Sequence, residues 1–260
     1  MRAVQTTHVR VGDYDVSLQS AGSGPPLLLL HGAGGAGMWL DLHARLAEHF
    51  TVFAPIEPGF AGTPLPGWVR AADDVALHTL DLMCTLGLDS PVVVGLSLGG
   101  WIATEMAVFR PRSIRRLVLV APIGVKTEKP LPDLFIMEPL EALPYLFADV
   151  SKAMALMPAA LTPDAIVRMW EEQAAVARLA WHRPYNPSLR RRLHMIECPT
   201  LVVWGSEDRF VSPAHGEMLA GEIPGARLEV IPGAGHAVGI ERPDELAQKI
   251  VAFVADRREG

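Results

Sequence analysis

Residues 91–109 read PVVVGLSLGGWIATEMAVF. The run is apolar almost throughout, yet it holds Gly95, Gly99 and Gly100 and one acid, Glu105. Its length is about that of a membrane span. The glycines and the acid predict two elements instead, a buried strand (PVVVG) and a helix (GGWIATEMAVF) joined by a sharp bend. Ser97 stands at the bend.

Other short apolar runs recur on both sides: LLLL at 27–30, TVFAP at 51–55, RLVLVAP at 116–122, TLVVWG at 200–205 and RLEVIPG at 227–233. Runs of this kind suit strands buried on both faces. Residues 4–11 and 14–20 alternate polar and apolar, which predicts an antiparallel pair at a sheet edge. Helical patterns fall between the runs, at 38–49, 71–86, 99–109, 213–220 and 243–255. Pro213 and Pro243 stand where a first helical turn tolerates proline. The alternation predicts an α/β chain with a doubly wound, mostly parallel, eight-stranded sheet.

The rhythm breaks between residues 123 and 189, where prolines, methionines and aromatics replace strand-like runs. This segment is expected to be a helical cap inserted after the sixth strand and lying over the strand ends, with residues 1–122 and 190–260 forming the core. A helical flank with no role is the alternative.

A chain of 260 residues suits one large domain or two small ones. The net charge of −6 offers no basic field for nucleic acid or anionic lipid. The basic run Arg190-Arg191-Arg192 reads as a solvated helix face. Cys84 and Cys198 show no CxxC or zinc spacing and read as buried small hydrophobes in a reducing cytoplasm. The first residues lack the apolar stretch of a signal peptide. A cytoplasmic protein without membrane insertion is expected, as a monomer or homodimer.

The sequence GLSLGG has the form G-x-S-x-G between a strand and a helix. Such a turn strains the serine backbone and lifts Oγ clear of the sheet. Glycines at 95 and 99 let strand and helix approach closely. The helix start turns free N–H groups toward the same space. Ser97 is therefore a candidate nucleophile, and a nucleophilic serine needs a base. His236, in PGAGHAVG after the last strand, lies at the carboxyl edge that Ser97 occupies. The other histidines fall on presumed strand faces, helices or cap, and His31 reads as a prop for its loop. The base needs an orienting carboxylate. WGSEDRF follows the strand TLVVW, and Asp208 is preferred there to Glu207. Asp208 gains weight because APIGV, after the preceding strand, offers no acid.

The loop HGAGGAG, residues 31–37, follows LLLL and can turn N–H groups toward Ser97. Ala33, with Gly34 as the alternative, and Leu98 are the expected oxyanion-hole donors. The loop has neither GxGxxG with a ribose-reading acid nor GK[ST], so a nucleotide site is disfavoured.

The HG loop, GLSLGG, WGSEDRFVSP and GAGH, each after a strand and in this order, together resemble the α/β-hydrolase superfamily over nearly the whole chain. The resemblance implies a Ser97–His236–Asp208 triad that hydrolyses esters by acyl transfer, without metal or cofactor. Such a base works only when neutral, so activity is expected to fall on the acid side. The serine sets the chain apart from the aspartate-nucleophile dehalogenases and epoxide hydrolases. EDRFVSPAHGEML and YNPSLRRRL are similar to segments of the meta-cleavage-product hydrolases, which cleave C–C bonds. Those relatives usually carry HGSGPG, an asparagine before the nucleophile and a tryptophan after the histidine. Here HGAGGAG, Leu96 and Ala237 stand. Relatives also usually have aspartate and glycine at the positions of Ile56 and Ala61, and Glu57 is a possible replacement for the missing acid.

The expected partner is a small-molecule ester, or a diketone on the C–C reading. Trp39, Met137, Met154, Met157 and Trp170 are candidate pocket residues, with core packing the competing assignment for each. A non-catalytic binder on the same fold is the rival from another class.

Overall fold

A computed structural model of the protein describes residues 3–157 and 162–256, so residues 158–161 of the predicted insertion lie outside it. Its sheet is built from β1 (Gln5–Val11), β2 (Tyr14–Gly22), β3 (Pro26–Leu30), β4 (Thr51–Pro55), β5 (Val92–Leu96), β6 (Arg116–Val120), β7 (Thr200–Gly205) and β8 (Arg227–Ile231). The spatial order is β1-β2-β4-β3-β5-β6-β7-β8. β1 pairs antiparallel with β2, and β2 with β4. Every other pairing is parallel. The predicted doubly wound, mostly parallel, eight-stranded sheet is present.

The helices are α1 (Asp41–Ala47), α2 (Ala72–Thr85), α3 (Leu98–Phe109), α4 (Pro139–Leu146), α5 (Val150–Leu156), α6 (Pro163–Ala180), α7 (Ala214–Glu222), α8 (Val238–Glu241) and α9 (Pro243–Ala255). Strand residues alternate between the two faces of the sheet, and both faces are covered. Leu28, Leu30, Val93, Leu117, Leu119 and Val202 pack with α2 and α3. Leu27, Leu29, Val92, Val94, Val118 and Val203 pack with α1 and α9. Burial on both sides explains why the central strands read as continuous apolar runs.

Three expectations need correction. The helix predicted at 38–49 is formed only over Asp41–Ala47, because residues 35–38 make a turn closed by the Met38 N–H on the Gly35 carbonyl. β8 is not buried on both faces. It is an edge strand, and Val230 is exposed. Cys84 is exposed on α2, within reach of the Arg110 guanidinium, whereas Cys198 is buried. The basic run does form an exposed helical face: Arg190 and Arg191 lie on the surface of a 3₁₀ turn, Arg190–Met195, where Arg190 also pairs with the Glu222 carboxylate on α7 at 2.9 and 3.0 Å.

Helices α4, α5 and α6 occupy the chain between β6 and β7. They meet the loops that follow the strands. Glu172 of α6 accepts the Ala61 N–H at 3.0 Å, in the loop after β4. The Leu146 carbonyl of α4 accepts the Ala237 N–H at 2.9 Å, in the loop after β8. Asn186, past α6, donates to the Glu105 carboxylate of α3 at 2.8 Å. Among the described residues, no helix is long and apolar enough to cross a membrane.

Candidate active site

β5 delivers the chain to Ser97, whose backbone lies at φ 49°, ψ −107°. A non-glycine residue in this region is strained and persists only where its surroundings over-determine it. Here they do. The Ser97 N–H donates to the Val120 carbonyl at 2.9 Å, and the Ser97 carbonyl accepts from Trp101 at 3.1 Å and Ile123 at 3.3 Å. The bend also requires close backbone approach. A Cβ at Gly95 would lie 2.4 Å from the Gly99 carbonyl oxygen. Side chains other than hydrogen do not fit there.

The structure brings Ser97, His236 and Asp208 together. His236 Nε2 lies 2.8 Å from Ser97 Oγ, and His236 Nδ1 lies 2.8 Å from Asp208 Oδ2. The other Asp208 oxygen accepts the N–H groups of Phe210 and Val211 at 2.9 and 2.8 Å. Both carboxylate oxygens are thus engaged, and the acid is fixed relative to the ring. Glu207, the competing carboxylate, points outward and meets the Arg209 guanidinium at 3.6 Å. Asp208 and His236 are buried. In this order the contacts suit proton transfer from the serine hydroxyl to Nε2, with Nδ1–H held by the carboxylate.

The HGAGGAG loop runs against the bend. A Cβ placed on Gly32 would be 3.5 Å from Ser97 Cβ. Ala33 and Gly34 are exposed, and Leu98 is the buried first residue of α3. The first N–H groups of a helix have no partner within the helix, which leaves the Leu98 amide available. His31 acts as the loop's prop. Its Nδ1 lies 2.7 Å from the Gly32 carbonyl, and its Nε2 accepts the Glu57 N–H at 3.0 Å. These bonds select the neutral tautomer with hydrogen on Nδ1, and burial lowers the His31 pKa, which agrees with it.

Glu57 is buried, with Oε1 unpartnered. Burial pushes its pKa up to about 8, opposed by the nearby Thr79 hydroxyl. The neutral carboxylic acid is the stable form in this place. Its stabilising contribution is complete below the ordinary value of 4.5 and is lost as the pH rises toward about 8. Glu57→Gln, which cannot ionise, should therefore gain on the wild type as the medium becomes alkaline. The difference in Tm between the two proteins is expected to widen by on the order of 5 °C between pH 5 and pH 9. Thermal melts at the two pH values check this, and a constant difference would contradict it.

The predicted pocket residues are scattered. Trp39 is half-buried, meets the His43 ring at a tilt with 5.1 Å between ring centroids, and packs against the same apolar cluster as Leu96. Met137 is half-buried before α4, while Met154 and Met157 are exposed. Trp170 is 67% exposed, on the side of α6 away from the buried Ala175 and Leu179, so the structure does not bring it to Ser97. Sequence reasoning missed Phe210, whose ring meets His236 edge-on at 5.0 Å and shields the imidazole. Its place two residues after Asp208 is a usable signal only once Asp208 is chosen.

A parallel sheet whose carboxyl edge gathers a strained serine, a histidine and an aspartate defines a class of hydrolase-like folds. The chain belongs to the alpha/beta hydrolase family, whose sequence model matches residues 27–249. It is 30% identical over 264 residues to an uncharacterized protein of Mycobacterium tuberculosis, covering 87% of this chain and 74% of that one. It is 27% identical over 273 residues to the 2-hydroxy-6-oxo-6-phenylhexa-2,4-dienoate hydrolase of Burkholderia cepacia, covering 95% and 93%. Among solved structures, a bacterial membrane phospholipase A matches with a TM-score of 0.78 and 25% identity, over 96% of this chain and 86% of that one.

Proposed function

We propose that the protein is a serine hydrolase that cleaves carboxylic esters of small to medium apolar substrates through an acyl-enzyme on Ser97. The observation that carries this is the unbroken relay from Ser97 Oγ through His236 to Asp208, with both contacts at 2.8 Å. In the first half-reaction Ser97 Oγ attacks the ester carbonyl as its proton passes to His236 Nε2. The N–H groups of Leu98 and Ala33, with Gly34 the alternative to Ala33, hold the oxyanion. His236 then gives the proton to the leaving alkoxide, and the alcohol departs. In the second half, water loses a proton to His236 and attacks the acyl carbon, releasing the acid and restoring Ser97. Residues 123–189 serve as the cap that shapes the acyl site, with the core formed by 1–122 and 190–260.

A second reading is C–C hydrolysis of a meta-cleavage-type diketone. It is favoured by the near full-length similarity to the Burkholderia cepacia dienoate hydrolase. Against it stand Leu96 and Ala237 at the two positions that flank Ser97 and His236 in the chain. A panel of esters graded in acyl length, run beside one ring-cleavage diketone, separates the two. The ester reading expects turnover of short and medium esters with the diketone's visible absorbance unchanged. Bleaching of the diketone at a kcat/KM above that of every ester would overturn it.

A further inference from the structure

Glu241 ends α8, in the chain just past His236, and is buried. Its two carboxylate oxygens serve two different parts of the protein. Oε2 accepts the N–H of Gly235 at 2.7 Å, and Oε1 accepts the N–H of Asp149 at 2.8 Å. Gly235 immediately precedes His236, and Asp149 caps α5 in the inserted segment. Hydrogen bonds from N–H to a carboxylate are stronger than those between neutral groups. A buried carboxylate is tolerated only where such partners satisfy it.

The surrounding contacts mark the same seam. Ala237, just after His236, donates its N–H to the Leu146 carbonyl at 2.9 Å. A Cβ at Gly235 would meet the Ala148 nitrogen at 2.6 Å and the Leu146 oxygen at 2.9 Å. Leu143, Phe147 and Ala153 pack with Ala237 and Ile240 in one apolar cluster. Arg242, the residue after Glu241, ties the far end of the loop by donating to the Gly233 carbonyl at 3.0 Å. Residues 233–235 read Gly-Ala-Gly. The core holds the first two, with the Gly233 N–H on Ser206 Oγ at 2.9 Å and the Glu207 N–H on the Ala234 carbonyl at 2.8 Å, and Glu241 supplies the tie at Gly235, next to the histidine.

We infer that Glu241 is a positioning residue that locks the His236 loop to the cap, so that the histidine is aligned only when the cap segment 146–149 is seated. This rests on the reading of His236 as the general base. Through one side chain, the seating of the cap and the placing of the base are coupled.

Glu241→Gln is nearly isosteric, but its amide sets an NH₂ group against one of the two N–H donors. With a short-chain ester, kcat per folded molecule is expected to fall about ten- to a hundredfold, because a small misplacement of a catalytic group costs that much. KM should change by less than about threefold, since the substrate contacts are untouched. A purely structural role would lower Tm and leave kcat per folded molecule unchanged, and that result overturns the inference. Ser97→Ala runs beside it: full turnover by that variant sinks the serine reading instead, so the two failures are distinguishable. If Glu241→Gln does not fold, amide hydrogen exchange of the wild type decides. Gly235 and Asp149 are then expected to show protection within about tenfold of each other, as two ends of one lock. Free exchange at Asp149 with Gly235 protected overturns the coupling.

Discussion

Ser97→Ala is expected to lower kcat/KM for any ester the protein turns over by about 10³-fold or more. The substitution removes one oxygen, the one 2.8 Å from His236 Nε2. It leaves the bend intact, because alanine meets the same backbone geometry at φ 49° that serine does. The ties on the Ser97 backbone, to Val120, Trp101 and Ile123, are main-chain bonds that do not involve the hydroxyl. Tm should therefore stay within a few degrees of the wild type while turnover collapses. Such a split between stability and activity identifies a nucleophile rather than a structural serine. Near-full activity in a folded Ser97→Ala protein would remove Ser97 from the mechanism.

Gly99→Ala is expected to have the largest effect on stability. Two contributions oppose each other. Alanine is favoured over glycine inside a helix by about 1 kcal/mol. A Cβ at this position, however, would lie 2.4 Å from the Leu30 carbonyl oxygen and 2.5 Å from that of His31. Those are backbone atoms of β3 and of the loop after it, so they cannot swing aside as a side chain can. Relieving the clash means moving α3 away from the sheet, which disturbs the tightly packed core it shares with α2 and the strands, at a cost of roughly 3 kcal/mol or more. The clash outweighs the helix preference. The variant should lose on the order of 10 °C in Tm or fail to accumulate folded. Any folded fraction should be poorly active, since the change separates the start of α3, with Leu98, from the loop expected to supply the other oxyanion donor. A variant at least as stable as the wild type would show that this contact is not the constraint described.

Much of this was legible in the sequence because parallel strands buried on both faces leave continuous apolar runs. The carboxyl-edge loops were legible for the same reason. Once GLSLGG, WGSEDRF and GAGH each follow a strand, they converge on one edge of the sheet whatever the helices do. Choosing Asp208 over Glu207 was possible only by preference. The structure shows the physical difference, with Asp208 buried and accepting backbone N–H groups and Glu207 turned toward Arg209.

The rest depended on contacts that no local pattern encodes. Trp170 is apolar and lies in the inserted segment, but which face of α6 docks is set by Ala175 meeting Gly59 and Glu172 meeting Ala61. That docking turns Trp170 outward. Glu57 shows no sign in the sequence of being buried, and its raised pKa follows from that burial, against the opposing effect of the Thr79 hydroxyl. Glu241 reads as an ordinary acid at a helix end. Its role appears only when Asp149, distant in the chain, is brought to its other oxygen.

The most direct test of the central claim is covalent labelling by a fluorophosphonate, with the modified peptide located by mass spectrometry. Phosphonylation forms a bond from Ser97 Oγ to phosphorus and expels fluoride as His236 takes the hydroxyl proton. The wild type should carry one label, on Ser97, and His236→Ala should label slower by about a hundredfold or more. Label on a different residue, or equal labelling rates in the wild type and His236→Ala, would contradict the account.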